Sequence, residues 1–177
     1  LAGLRELGMN DFSKRETLVT FVDLERCIAD AIQIVTGCTV GRRNLKLVNI
    51  GKFAATFIDI SNGEGVRISS RKDARASAMR FAERNGWIAS GEIIEEFSER
   101  EKHMIVRAYS EMPEPQMFVI EKVRASLPKK EERSGPTEPV VCSSCDELIF
   151  DRMEIIKRKR ALCRSCASGA YYKKQRS

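Results

Sequence analysis

The chain has 177 residues, 42% of them hydrophobic and 32% charged, with a formal net charge of +6. That length suits one medium domain, or a domain with a small module attached, and the composition is that of a soluble globular protein with a real core. No apolar run approaches the roughly 18 residues that a membrane span needs. Residues 1–8 have the pattern of the back half of an amphipathic helix rather than of a signal peptide, and the sequence begins at Leu1 rather than Met, so further residues are expected upstream. With no secretion signal and with cysteines paired as metal ligands are, the expected location is the cytoplasm.

The first helix stops at Gly8, a usual C-terminal signal. Glu16–Asp23 (E-T-L-V-T-F-V-D) is rich in β-branched and aromatic residues and reads as a buried strand. Leu24–Thr36 reads as a helix with one apolar stripe, Leu24, Ile28, Ala31 and Val35, ended by Gly37. A loop, 38–44, leads to a strand over Leu45–Ile50. Phe53–Ile60 and Gly65–Ser69 then flank Ser61-Asn62-Gly63-Glu64, and Asn-Gly between apolar strands is a strong hairpin signal. Residues 45–69 are therefore expected to form an antiparallel meander.

Two helices follow, Lys72–Asn85 with Ala74, Ala78, Phe81 and Ala82 inward, and Gly91–Tyr109 with Ser90 as its N-cap. Pro113 and Pro115 close the helical region, and Gln116–Ala125 reads as one more strand. From Pro128 to Pro139 the chain becomes P-K-K-E-E-R-S-G-P-T-E-P, charged and proline-bearing, which reads as a linker. The expected division is a core domain over 1–128, a linker over 129–139 and a small module over 140–177. The expected class is α+β: an antiparallel sheet packed with helices, plus that module.

The module carries the clearest chemistry. Cys142-Ser143-Ser144-Cys145 and Cys163-Arg164-Ser165-Cys166 are two CxxC pairs separated by seventeen residues. Each tight CxxC turn aims two sulfurs at one point, and four thiolates suit a tetrahedral Zn²⁺ with Zn–S bonds of about 2.3 Å. Two disulfides would need an oxidising compartment, and a dithiol redox site needs one CxxC beside a βαβ unit. After Cys145, Asp146 tolerates the positive φ that such a knuckle often requires. Leu148–Ile156 and Arg160–Leu162 are expected to form a hairpin about Lys157-Arg158-Lys159, and Cys163 opens a short helix. Knuckle, hairpin and ligand-bearing helix, in that order, make a treble-clef zinc finger.

Charge is uneven along the chain. Residues 129–177 hold 12 Lys+Arg against 7 Asp+Glu, whereas residues 1–128 hold 19 against 18. The cations can offset the thiolates around the ion. They can also meet phosphate groups, since residues 152–177 hold nine Lys+Arg against one acid with Tyr171 and Tyr172 among them, a composition that suits nucleic acid.

The other two cysteines flank one helix. Cys27 and Cys38 would lie about 16 Å apart along a continuous helix, too far to share a metal unless the chain folds back after Gly37. Asp30, one turn after Cys27, could be a ligand, a base, or a hydrogen-bond partner for Gln33 or the loop; both cysteines could equally be small buried hydrophobes. The only histidine, His103, falls on the charged second helix and reads as a surface residue.

Cys27-Ile28-Ala29-Asp30-Ala31-Ile32-Gln33, followed by Thr36-Gly37-Cys38-Thr39-Val40-Gly41, then Asn44-Leu45 and Gly51-Lys52, resembles the core signature of the FmdE family of formylmethanofuran dehydrogenase proteins. The likeness runs to about Ser69, and some members also carry a C-terminal zinc finger. The resemblance implies an α+β core with an antiparallel sheet, an intertwined homodimer, and a core pocket able to bind a second metal, lined by Cys27, Asp30, Gln33 and Cys38 and shaped by Gly37 and Gly41. The family's core usually opens with a histidine- and cysteine-bearing segment of H-G-H-x-C-P-G type, which has no counterpart in these residues.

Three functions follow as expectations. The first is a metal-binding accessory or metal-sensing protein with a protein partner, related by family to one-carbon and methanogenic metabolism; no molybdopterin or iron–sulfur pattern is visible, so the redox chemistry would belong elsewhere. The second is a nucleic-acid-binding, transcription-regulatory zinc-finger protein. The third is an enzyme with Cys27 or Cys38 as nucleophile beside Asp30, against which stands the lack of a paired histidine.

Overall fold

β1 (Leu18–Val22) runs through the sheet of the larger unit. Three of its five residues are β-branched, which suits a strand covered on both faces, and Leu18, Val19, Thr20 and Val22 are all buried. The computed structural model describes residues 2–11, 15–95, 98–125, 138–173 and 175. The chain divides into two compact units, Leu1–Pro128 and Lys129–Ser177. Of the expected linker, only Glu138 and Pro139 fall among the described residues, and no described helix is long and apolar enough to cross a membrane.

The larger unit is α+β. Its five-stranded sheet has the order β2-β1-β3-β4-β5, with β2 at Leu45–Leu47, β3 at Ala54–Asp59, β4 at Glu64–Ser70 and β5 at Phe118–Arg124. Pairings β1–β3, β3–β4 and β4–β5 are antiparallel, and the β3–β4 hairpin turns at Asn62-Gly63 as expected. The meander is corrected at its first strand. β2 lies parallel to β1 and on the far side of it from β3. A parallel neighbour needs a crossover, and α2 (Cys27–Thr36) between the two strands supplies it. The chain then returns past the end of β1: Val48 donates to Val22 and Gly51 to Asp23, each at 2.9 Å, with Asn49 and Gly51 in the left-handed region.

Strand register sets which residues face the helices. Leu18, Val22, Ala55 and Phe57 join Leu4, Met9, Cys38 and Leu45 in one core, against which Ile28, Ala29, Ile32 and Val35 of α2 pack. The stripe of α2 is therefore Ile28, Ile32 and Val35, and Ala31 faces solvent. Two isoleucines remove more apolar surface from water than an alanine does, and they set the roll of the helix. At the far end of α2, Gly37 takes the left-handed conformation and donates to Gln33. The buried Arg15 donates to the Val35 carbonyl at 2.7 Å, and also to Met9 and Asn10 at 3.0 and 2.9 Å.

α3 (Ala74–Arg84) and α4 (Glu99–Glu111) pack on one another through Ala78, Ala108 and Met112 with Met117, Phe81, Trp87 and Phe118. Arg75 holds both carboxylate oxygens of the buried Glu101, at 2.7 and 2.6 Å. The expected start of α4 at Gly91 is corrected. Gly91 sits at φ 75, and the helix begins after Ser98, whose hydroxyl accepts from the Glu101 amide. A serine with an acidic residue three positions on is the stronger start signal, and Ser98-Glu101 satisfies it.

In the smaller unit β6 (Val140–Val141) pairs with β7 (Leu148–Ile149), and β8 (Ile155–Lys157) pairs with β9 (Arg160–Leu162) before α5 (Arg164–Ser168). The expected long strand 148–156 is thus two strands in two hairpins. Asp151 and Arg152, at φ 61 and 55, turn the chain between them.

α1 (Ala2–Glu6) crosses the sheet so closely that a Cβ on Gly3 would lie 2.6 Å from Cδ2 of Phe57. Gly3→Ala is expected to lower stability by about 1–3 kcal/mol through overpacking, a fall in Tm of roughly 2–10 °C for a chain of this size. Thermal unfolding followed by circular dichroism measures it; an unchanged Tm would place α1 elsewhere.

Candidate metal centre

The four cysteines of the module come together. Cys142 and Cys145 lie on the turn between β6 and β7, and Asp146 after them stands at φ 58. The turn is closed by the Cys142 amide on the Glu147 carbonyl (2.9 Å) and the Asp146 amide on the Cys142 carbonyl (3.1 Å). Ser143 donates to the Ala161 carbonyl at 2.8 Å, which fastens this knuckle to β9. Cys163 is the N-cap of α5 and Cys166 lies within it. One sulfur from each of Cys142, Cys145, Cys163 and Cys166 lies within 4.8 Å of every other. The edge of a tetrahedron with about 2.3 Å metal–sulfur bonds is about 3.8 Å, and Cys145 and Cys163 stand 3.9 Å apart. All six cysteines of the chain are free. The donor set fits a metal ion, and all four ligands are thiols, the soft donors that suit Zn²⁺.

Backbone amides prepare the sulfurs for charge. The Cys163 amide donates to Cys142 Sγ at 3.3 Å, and the Cys166 amide to Cys163 Sγ at 3.4 Å. The Cys163 amide is the main cause that holds the Cys142 thiol down to about 6, helped by the amides of Ser144 and Cys145 against burial. The Glu147 amide pulls Cys145 the same way, but burial and the facing sulfurs of Cys142, Cys166 and Cys163 outweigh it and push that thiol up to about 12. Cys166 accepts from Ser144 and is still raised, chiefly by the neighbouring Cys163 sulfur. One thiolate forms readily, and its neighbours then resist ionising so close to it.

Two cations that the residue pattern did not single out hold the frame. Lys157 Nζ donates to the Ala167 carbonyl at the end of α5, a favourable place for a cation, and Arg160 donates to the Ser143 carbonyl in the knuckle. Only their place in a K-R-K-R run was visible beforehand, and a run does not say which members turn inward.

The core residues are placed differently. Cys27, Asp30 and Gln33 lie on the exposed side of α2, whereas Cys38 is buried. Thr20 donates to Cys38 Sγ at 3.6 Å, and that sulfur lies 3.8 Å from the Leu18 carbonyl. A single chain does not bring the four together, and among the described residues the four-cysteine group is the one cluster of metal-type ligands. Cys38 takes the buried small-hydrophobe role and Cys27 does not. His103 is exposed on α4. The same unit does contain an apolar cavity of about 260 Å³, lined in part by Ile28, Ile32, Phe53, Phe57, Ile68 and Phe118. Its lining comes from separate strands and helices, so no contiguous motif announced it.

Residues 1–119 match the model of the family described as "FmdE, Molybdenum formylmethanofuran dehydrogenase operon", and the chain belongs to that family. A "Probable S-adenosyl-L-methionine-binding protein" of Archaeoglobus fulgidus is 28% identical over 182 residues, which take in 96% of this chain and 46% of that protein. The chain thus spans about half the length of that curated relative. Among solved structures, a tungsten formylmethanofuran dehydrogenase FmdE-like protein from Syntrophus aciditrophicus shares the fold, with a TM-score of 0.60 and 24% identity over 88% of this chain and 73% of that one.

The thiol shifts make metal uptake depend on pH. Cys142 is already a thiolate at neutral pH, whereas Cys145 and Cys166 hold their protons. Each bound ion is therefore expected to release at least these two protons, and log K to rise by about two or more per pH unit between about 6 and 9. Calorimetry in buffers of different ionisation enthalpy counts the protons. A pH-independent affinity would show that the raised thiols are not ligands.

Proposed function

We propose that this FmdE-family chain is an accessory or metal-sensing protein whose C-terminal module is held by one structural Zn²⁺, and that its contribution is binding rather than catalysis. The observation that carries the reading is the gathering of four sulfurs in a unit with almost no core of its own. Among the described residues of 138–175, only Cys142 and Ile149 are buried. Burying one isoleucine contributes about 1.5–3 kcal/mol, whereas structural zinc in small fingers contributes about 10–16 kcal/mol at neutral pH. The ion has no open coordination position when four cysteines hold it, which suits structure and not chemistry.

The larger unit supports the binding role by what it exposes. Leu47, Val48, Ile50 and Phe53, in one short stretch of chain, are 41–57% exposed, and large apolar side chains left in water so close in sequence suit an interface. A second copy of the chain is the partner we assign to it, in keeping with the family resemblance, and a core metal would need ligands from beyond one chain's described residues. A cytoplasmic location goes with reduced thiols.

The apolar cavity favours a second reading. The Archaeoglobus relative is named for S-adenosyl-L-methionine, and a sulfonium ion is attracted to aromatic faces such as those of Phe53, Phe57 and Phe118 at the cavity wall. Titration of the full chain with S-adenosyl-L-methionine tests this, and heat or fluorescence unchanged by the ligand ends the reading.

Metal analysis tests the main reading. One zinc per chain is expected, retained in the Cys27→Ser/Cys38→Ser variant and lost in Cys142→Ser. Chelation is expected to remove the ordered structure of the module, read as loss of amide protection over residues 138–173. Two metals falling to one in the double variant would instead place a second site in the core. Full protection after thorough chelation would overturn the structural role of the ion.

A further inference from the structure

The β8–β9 hairpin closes through a two-residue loop, Arg158-Lys159, because Lys157 pairs with Arg160. Both loop residues are left-handed, at φ 49 and 64, the type I′ arrangement that favours Asn-Gly. Residues with a Cβ are disfavoured in that region, so the tip places two long cations where the backbone would be more stable with neither. Strain of this kind, kept where a less strained turn exists, points to a use for the side chains.

The flanking cations are engaged, Lys157 with α5 and Arg160 with the knuckle. Arg158 and Lys159 are exposed and their side chains have no hydrogen bond or ion pair within the described residues, and the same holds for Arg164 on α5 and Lys173 beyond it. The Lys157–Ala167 bond ties the hairpin to the end of α5, from which the chain passes through Gly169 to two tyrosines. Tyr171 is 100% exposed, and its ring meets that of Tyr172 edge to face with centroids 5.2 Å apart. The module thus carries four exposed cations, at the hairpin tip, on α5 and after it, and a fully exposed aromatic ring braced by its neighbour.

We propose that these groups form one surface that binds single-stranded nucleic acid, with Arg158, Lys159, Arg164 and Lys173 on phosphates and the free face of Tyr171 under a base. Cations that follow a backbone, next to a ring on which a base can stack, are the two parts of non-sequence-specific single-strand binding. A duplex offers no unstacked base to the ring, and an acidic polypeptide makes use of the cations alone. The residues changed in the test, Arg158, Lys159 and Tyr171, are not sulfur ligands, so failure of this proposal leaves the proposed role of the ion standing.

The test uses the zinc-loaded full chain and fluorescence anisotropy with an oligouridylate and an oligothymidylate of about 20 nucleotides. With four phosphates engaged, log K is expected to fall against log salt with a slope of about −2.8, at about 0.7 per phosphate on single strands. Arg158→Asn/Lys159→Gly installs the favoured turn: Tm is expected to hold or rise, while the slope falls to about −1.4 and low-salt affinity drops about tenfold. Tyr171→Ala is expected to weaken the oligonucleotides about tenfold through lost stacking and to leave a polyglutamate chain of similar length unaffected. Zinc content is measured for every variant; should the turn variant lose its metal, Arg158→Gln/Lys159→Gln replaces it. No binding at low salt overturns the proposal. So does polyglutamate binding as tightly as the oligonucleotides, or Tyr171→Ala without effect, since either result makes it a general polyanion surface.

Discussion

Four sulfurs held within 4.8 Å of one another are the constraint on which the smaller unit depends. Left as thiolates without an ion, they would repel. Left as thiols, they would be weakly bonded polar groups at the centre of a unit with one buried isoleucine among its described residues. Fixing the backbone of even twenty residues costs about 20–40 kcal/mol, far beyond what two short hairpins and a five-residue helix recover by burial. The surrounding design follows from that deficit. Amides of Cys163 and Cys166 point at sulfur, and Lys157 and Arg160 clamp carbonyls on either side, so the frame that the ion closes is tied together by hydrogen bonds around the ligands.

The larger unit solves the opposite problem with apolar surface. β1 is covered so fully that Val19 and Val22 have no exposure, and the parallel β2 keeps it from becoming an edge. Polar groups in this core are satisfied in pairs: Arg67 holds the buried Asp23 at 2.7 Å and reaches Thr56 at 3.2 Å. Cys38 belongs to this arrangement as a filler that also accepts from Thr20.

Much of this was legible in the residues, and the failures have physical causes. CxxC spacing, Asp146 after the knuckle, Asn62-Gly63 at a hairpin and Gly37 at a helix end are local signals whose geometry is decided within a few residues, and the structure shows each of them at work. Partner choice is not local. Nothing in Leu45–Leu47 says that it pairs with β1 in parallel rather than with β3, because the decision belongs to the crossover through α2. Counting apolar positions equally misplaces the roll of α2, because Ile32 and Ala31 differ in what they bury. That same roll carries Cys27, Asp30 and Gln33 outward, which periodicity alone, taken about Ala31, did not show. Ser90 and Ser98 are both plausible caps by residue type, and only the second is followed three residues on by an acidic residue, whose amide donates to the Ser98 hydroxyl.

Arg15 ties more together than its position in a loop suggests. Its guanidinium reaches carbonyls that follow α1 and one that ends α2, so the leading arm of the chain and the Cys38 loop share a single buried cation. Peeling that arm away would uncover the charge and release both segments at once. Fraying of the arm therefore costs the tie to α2 as well as its own, because one guanidinium makes both.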